Sequence, residues 1–265
     1  LQHPDPLWDE LWNINPEAVR GEIEGVYNNH ITDKRIMAYD RHANYWNGLP
    51  ERDQATILGY AGVYIDSFAF LSEKTHDPKY NEWARQLLLA FESKSNADGL
   101  YPDNWTDRQK REEAYTFPIR PELATAMYVA FQRTQDARWL NDANRYLDAC
   151  DRSFQAGKAT GDDAATAPMR FAQAAMLAYQ FTGQLEYLDM ANRYGAELLK
   201  RQQPHVQMAS SLAESINTLR ELYEVTGEQQ WLDGARKLGD FALQNFVRPS
   251  GLIVGTATVD RPDYY

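Results

Sequence analysis

Four copies of one short pattern constrain this chain more than any other feature. Each has a Thr, then polar or glycine residues, an aromatic five residues after the Thr and an alanine nine after it. They are Thr75-His76-Asp77-Pro78-Lys79-Tyr80 with Ala84, and Thr134-Gln135-Asp136-Ala137-Arg138-Trp139 with Ala143. The others are Thr182-Gly183-Gln184-Leu185-Glu186-Tyr187 with Ala191, and Thr226-Gly227-Glu228-Gln229-Gln230-Trp231 with Ala235. A helix ends near each Thr, and an acidic residue near the start of the next helix suits that helix's dipole. The aromatic fills the groove between the two helices, and the alanine lets the backbones approach. Each copy therefore predicts a tight αα-hairpin.

Flanking residues keep helical spacing: Ile57, Tyr60, Ala61, Tyr64, Ile65, Phe68 and Leu71 before the first turn, and Trp139, Ala143, Tyr146, Leu147 and Cys150 after the second. The small apolar run around Phe171, Ala174, Ala175 and Ala178 suits a helix packed on both sides. One hairpin cannot bury its apolar face, so neighbours must stack. The predicted fold is all-α: a single domain over residues 1–265 built from antiparallel helical hairpins as an α/α toroid, an incomplete or open α/α barrel. Four hairpins are few for a closed ring. The chain is therefore expected to be part of a longer polypeptide, or an open arc completed by another chain, as in a homodimer. The polar segments Ser93–Phe117, Asp151–Ala167 and Arg201–Ala209 are expected as loops on one rim, where a rigid scaffold usually carries function.

The formal net charge of −11 argues against nucleic acid as a main partner, because phosphate binding needs a positive field. It leaves room for an acidic polysaccharide in a locally basic cleft. No apolar run approaches the roughly 20 residues that span a bilayer, so no membrane partner is expected. The chain begins Leu1-Gln2-His3, as a processed protein or a fragment would. The single cysteine, Cys150, excludes an internal disulfide and reads as a small core residue. With 7 Trp and 16 Tyr the chain is aromatic-rich; such side chains suit sugar-ring faces as well as cores.

Two stretches concentrate polar and aromatic side chains. Residues 28–48 include Asn28, Asn29, His30, Asp33, Asp40, Arg41, His42, Tyr45 and Trp46. Their apolar content is too irregular for a core helix. They suit a polar ligand: amides for hydroxyls, rings for sugar faces, Arg for a carboxylate. His30, His42 and Asp33 or Asp40 are candidate metal ligands, against the plainer reading of a substrate-covering loop. Residues 101–122 include Asp103, Trp105, Tyr115, Arg120 and Glu122. Pro121 fits the first turn of a helix, which places Arg120 at its mouth and Glu122 in its first turn. A mutual ion pair and direct ligand contact are both open for these two. His205, after Pro204, is a candidate substrate contact; His76, in a turn, reads as solvated.

The hairpin repeat together with Phe117-Pro118-Ile119-Arg120-Pro121-Glu122-Leu123 resembles the sugar-active α/α-toroid enzymes. Arg120-Pro121-Glu122-Leu123 is similar to a segment of the inverting α-mannosidases that precedes an inner helix. Asp40-Arg41-His42, with Asn29-His30 ahead, looks more like the α/α-barrel pectate lyases. That second resemblance implies a secreted or periplasmic polysaccharide lyase cleaving a pectate-like uronate polymer by β-elimination. It implies Arg41 as base with Tyr115 as substitute base or acid, and His42 as ligand of a divalent ion such as Ca²⁺ or Mn²⁺, with His30 the second candidate from the residues themselves; the family's further His and Glu have no match here. Arg120 would then be a carboxylate clamp, in a substrate site shared with Asn28, Asn29, Tyr45, Trp46, Trp105, Glu122 and His205. The alternatives are a glycoside hydrolase and a non-catalytic scaffold binding a glycan or protein. The hydrolase would use a carboxylate pair drawn from Glu122, Asp103, Asp107, Asp162, Asp163 and Glu214.

Overall fold

Every Thr of the repeat closes a helix in the same way. The computed structural model describes residues 6–30, 55–106, 115–159, 161–200 and 209–253. The hydroxyls of Thr75, Thr134, Thr182 and Thr226 donate to the carbonyls of Leu71, Ala130, Ala178 and Leu222 at 2.6–2.7 Å. Each hydroxyl also accepts the backbone N–H two residues on, at 3.2–3.3 Å. The residue after each Thr is left-handed: His76 at φ 56°, Gln135 at 57°, Gly183 at 69° and Gly227 at 71°. Its N–H donates to the carbonyl four residues back, the bond that ends a helix with a left-handed cap. The pattern is therefore a backbone instruction repeated four times, and the expected hairpins form at all four.

The elements in chain order are α1 (Pro6–Ile14), α2 (Pro16–His30), β1 (Ala55–Ile57), α3 (Leu58–Thr75), α4 (Pro78–Glu92), β2 (Asn104–Thr106), α5 (Pro121–Thr134) and α6 (Ala137–Gln155). They continue with α7 (Gly161–Thr182), α8 (Leu185–Lys200), α9 (Ala209–Thr226) and α10 (Gln229–Phe246). No helix among the described residues is long and apolar enough to cross a membrane. The chain divides into two compact units, Leu1–Asp163 and Ala164–Tyr265.

In the first unit α3 packs against α4 and against α5, and α5 packs against α6. Helix α5 is buried continuously from Leu123 to Ala130, as a helix with neighbours on several sides must be. Helix α6 buries one stripe: Trp139, Ala143, Tyr146, Leu147 and Cys150. The repeat aromatics Tyr80 and Trp139 are fully buried, and so are Ala84 and Ala143. Polar groups tie α4 to the next hairpin. Asn81 donates to Asp136 at 2.9 Å and accepts the Trp139 indole N–H at 2.8 Å, and Arg85 pairs with Asp142 at 2.6 Å. Asp77 and Asp136 cap α4 and α6, each accepting a backbone N–H at 3.0 Å.

In the second unit α7 and α8 meet through Phe171 stacked on Tyr194, with centroids 4.3 Å apart. Gln173 of α7 donates to the buried Thr218 of α9 at 2.9 Å. Gly195 permits the closest approach: a methyl there would lie 2.5 Å from Leu222 and 3.1 Å from the Trp231 ring. Glu228 stands at the start of α10, but its side chain makes no cap bond. The Trp231 indole N–H is buried without a hydrogen-bond partner. Its counterpart Trp139 finds Asn81, the residue after Tyr80; the residue after Tyr187 is Leu188, which cannot accept.

Three local expectations are corrected. Residues Asn28–His30 are the last turn of α2, where a non-helical stretch was expected. Helix α2 needs only a narrow buried stripe, Val19, Ile23 and Tyr27, so polar residues at its end cost little. The expected loop Asp151–Ala167 is mostly helical, because α6 runs to Gln155 and α7 starts at Gly161 with an alanine-rich first stretch. The expected loop Ser93–Phe117 contains β2, which pairs antiparallel with β1 in the register Ala55↔Thr106, Thr56↔Trp105 and Ile57↔Asn104.

Candidate functional site

The backbone around β1 and β2 sets one carboxylate beside the mouth of α5. The Leu58 N–H donates to the Asp103 carbonyl at 2.7 Å, and the Asp103 N–H donates to the Thr116 carbonyl at 2.8 Å. Asp103 is thus fixed from both sides by main chain. Pro121 opens α5, because its missing N–H would have no helical partner there. Glu122 follows in the first turn, where the helix dipole favours a negative charge. Arg120, just before the helix, faces both acids: its Nη1 lies 3.6 Å from Glu122 Oε1 and its Nη2 3.8 Å from Asp103 Oδ1.

A planar guanidinium spanning both acids holds their carboxylates within about 10 Å of each other. The acids differ in depth, with side-chain exposures of 17% for Glu122 and 32% for Asp103. Leu58, Gly59, Gly62 and Val63 of α3 face Arg120, Glu122 and Leu123 across a narrow groove of about 20 Å³, room for a single water. Gly62 brings the helices close, since a methyl there would lie 3.3 Å from the Ala126 methyl.

The interior near Glu122 is aromatic. Tyr101 stacks on Tyr146 with centroids 4.5 Å apart, and both are buried. Burial pushes the Tyr146 phenol well up, with the nearby Cys150, Tyr101 and Glu122 adding to it. Burial likewise raises Tyr101, helped by the charge of Glu92. The Cys150 thiol is raised by burial, which the Arg120 backbone and the Tyr146 hydroxyl offset only in part. Cys150 is therefore the inert core residue expected from the sequence, and it supports the mouth of α5 from beneath.

Of the residues singled out from the sequence, Arg120 and Glu122 stand together here: they form an ion pair, and both line the groove. Tyr115 belongs to the same segment, half-buried, with its ring 6.5 Å from that of Phe117. Trp105 lies in β2, two residues beyond Asp103. Asn28 is exposed on the last turn of α2, which Asn29 and His30 complete. Arg41, His42, Tyr45, Trp46 and His205 lie outside the described residues. Among the described residues no group of three or more His, Cys, Asp or Glu side chains is placed to hold a metal ion. The sequence reading ranked Asp103 only among many carboxylates and missed the α3 wall. The spacing Gly59-x-x-Gly62 at the start of an apolar helix was the available signal for that wall.

No family model matches the chain, and no curated protein matches its sequence. Solved structures do match. A D-mannose isomerase aligns over 94% of this chain and 75% of its own, with a TM-score of 0.66 and 14% identity. A glycoside hydrolase family 76 mannosidase from Bacteroides thetaiotaomicron aligns over 89% of this chain and 75% of its own, with a TM-score of 0.58 and 13% identity. A family 76 α-mannanase from the same organism aligns over 82% of this chain, with a TM-score of 0.57 and 14% identity; the match spans 66% of the mannanase. The fold is thus the α/α toroid of these solved structures, in agreement with the fold class expected from the repeat.

Proposed function

We propose that this chain is a carbohydrate-active enzyme, a glycoside hydrolase whose carboxylate pair is Asp103 and Glu122. The observation that carries this reading is the guanidinium of Arg120, which lies within 4 Å of two acids, one of them, Glu122, lining a narrow groove. Glycosidic cleavage needs one carboxyl group to protonate the leaving oxygen and another to activate water or attack, with separations of roughly 5 to 9.5 Å. Arg120 keeps the two oriented and offers N–H donors to sugar hydroxyls. Mannose-containing glycans are the first substrates to test, because the matched structures are a mannanase, a mannosidase and a mannose isomerase. A chain that works on an external polymer belongs in the periplasm or outside the cell.

The hydrolase reading takes precedence over β-elimination because two acids flank one arginine at the mouth of α5 and two of the matched structures are glycoside hydrolases. Isomerisation is a second reading, favoured by the match to the isomerase over 94% of this chain. One substrate panel separates the three. New reducing ends from mannan or mannosides support the hydrolase. Conversion of free mannose to a ketose supports the isomerase. Ultraviolet-absorbing unsaturated products from polyuronates support the lyase and would overturn the proposal.

A further inference from the structure

Helix α1 is held to α3 and α5 at few points. From Trp8 to Ile14 none of its residues is buried, and Ile14 is 79% exposed. Its rings lie against one residue of α3: Trp12 meets Phe70 edge-on with centroids 5.7 Å apart, and Trp8 lies 6.4 Å from the same ring. Phe70 itself is fully buried. Among the described residues the other tie is Asp9, which pairs with Lys74 of α3 and lies 3.7 Å from Arg133 of α5. A segment with so little buried surface opens locally before the domain unfolds.

These ties run through a crowded set of charges. Asp66, Phe70, Glu73 and Lys74 share one face of α3 at three- and four-residue steps. Arg133 reaches in from α5: its guanidinium lies 5.3 Å from the Phe70 ring, 3.3 Å from Asp66 and 2.5 Å from Glu73. Three acids, Asp9, Asp66 and Glu73, therefore meet two cations, Arg133 and Lys74. The set balances when one acid is protonated. Asp66 is the acid that takes the proton: its side chain is 10% exposed, against 42% for Asp9 and 40% for Glu73, so its charge is the least hydrated.

Docking of α1 makes ionisation of Asp66 harder in two ways. It lays rings over Phe70, one turn along from Asp66, and it brings the Asp9 charge to the same guanidinium. Whatever opposes ionisation of a group on docking is itself opposed by that ionisation. We propose that α1 is a clasp that protonation of Asp66 fastens and ionisation of Asp66 loosens. The charges facing Asp66 are Arg133 from α5, Asp9 from α1 and Glu73 on α3 itself. Burial raises the Asp66 carboxyl to about 6, with Asp9 and Glu73 adding to the rise and Arg133 opposing it. A carboxyl raised by docking favours the docked state at low pH, and that contribution is lost as pH rises through the docked value. At acid pH α1 stays on Phe70; near neutral pH it opens more often.

Backbone hydrogen exchange in α1 (Pro6–Ile14) of the 265-residue chain tests this, with rates corrected for the pH dependence of free amides. Protection is expected to fall about ten-fold between about pH 5 and pH 7.5, the ratio set by a carboxyl that titrates near 6 when α1 is docked and lower when it is released. Asp66→Asn, which copies the protonated form, should keep α1 equally protected at both pH values. Asp9→Asn, at a half-exposed position, should lower protection at the acid end and shrink the pH dependence. Histidines change charge over the same range, and an effect of theirs would survive Asp66→Asn. A wild-type change of less than about two-fold overturns the proposal. So does an α1 that is unprotected at the acid end, or a pH dependence that survives Asp66→Asn. Should that variant not fold, an undiminished pH dependence in Asp9→Asn overturns it equally. The clasp uses no residue of the Asp103–Arg120–Glu122 groove, so its failure leaves the reading of that groove untouched.

Discussion

In residues 58–155, neighbouring hairpins are joined by polar groups that cross from one helix to the next: Asn81 to Asp136 and Trp139, Arg85 to Asp142. In residues 161–246, the matching helices α8 and α10 close on a glycine, with Gly195 against Trp231, and the polar crossing between hairpins is a single neutral bond, Gln173 to Thr218. The turns differ in the same sense. The first two carry His76 and Gln135 in the left-handed conformation, with Asp caps beside them, and the last two carry glycine there. The same Thr turn thus serves hairpins that α4 and α6 join through charged and polar groups and hairpins that α8 and α10 join through close packing. Polar joints depend on their partners being present, whereas close packing depends on volume, and substitutions should separate the two.

The largest effect is expected at Arg85. Arg85→Ala leaves Asp142 buried without that partner and should cost about 3–5 kcal/mol in urea unfolding. Replacing both residues by apolar ones of similar volume should recover most of that loss. Recovery would show that the crossing is not strictly required to be polar.

Next is pH. Burial among Arg133, Asp9 and Glu73 raises Asp66 from the ordinary 3.8 to about 6, desolvation outweighing the pull of Arg133. A carboxyl raised on folding favours the folded state below the unfolded value, and that contribution is lost as pH rises through the folded one. First-unit stability should therefore fall by about 3 kcal/mol between pH 4 and 6 from this group. Asp66→Asn should flatten the slope. Hydrogen exchange, which resolves the units, should place the effect in residues 58–155.

A smaller effect is expected at Gly195, where Gly195→Val inserts volume against the rigid Trp231 ring and should cost about 2 kcal/mol. Gly239, with nothing within 4 Å of an added methyl, is the control: Gly239→Ala should be neutral or stabilising by up to about 1 kcal/mol. The smallest changes come at the turns. His76→Gly and Gln135→Gly relieve left-handed strain and should each stabilise by about 1 kcal/mol, while Gly183→Ala and Gly227→Ala should lose a similar amount.

The hairpins were legible because each Thr pattern is local: one hydroxyl, one left-handed residue and one buried ring suffice to reverse the chain. Glycine at 183 and 227 advertised the left-handed turn, but His76 and Gln135 did not, since either residue type is ordinary in a helix or loop. The candidate site was half legible. Pro121 announced the mouth of α5 and so located Arg120 and Glu122. Asp103 joins them only through backbone hydrogen bonds to Leu58 and Thr116, which leave no periodic trace in the sequence. The end of α2 at Asn28–His30 was misread because polar composition was taken to oppose a helix whose burial rests on three residues.

Turnover by Glu122→Gln and Asp103→Asn, measured as reducing sugar released from mannan beside the unaltered chain, bears most directly on the assigned carboxylate pair. Release by the unaltered chain, with each variant reduced about 10³-fold or more at unchanged helix content, is the predicted result. Equal release by all three proteins would contradict the assignment.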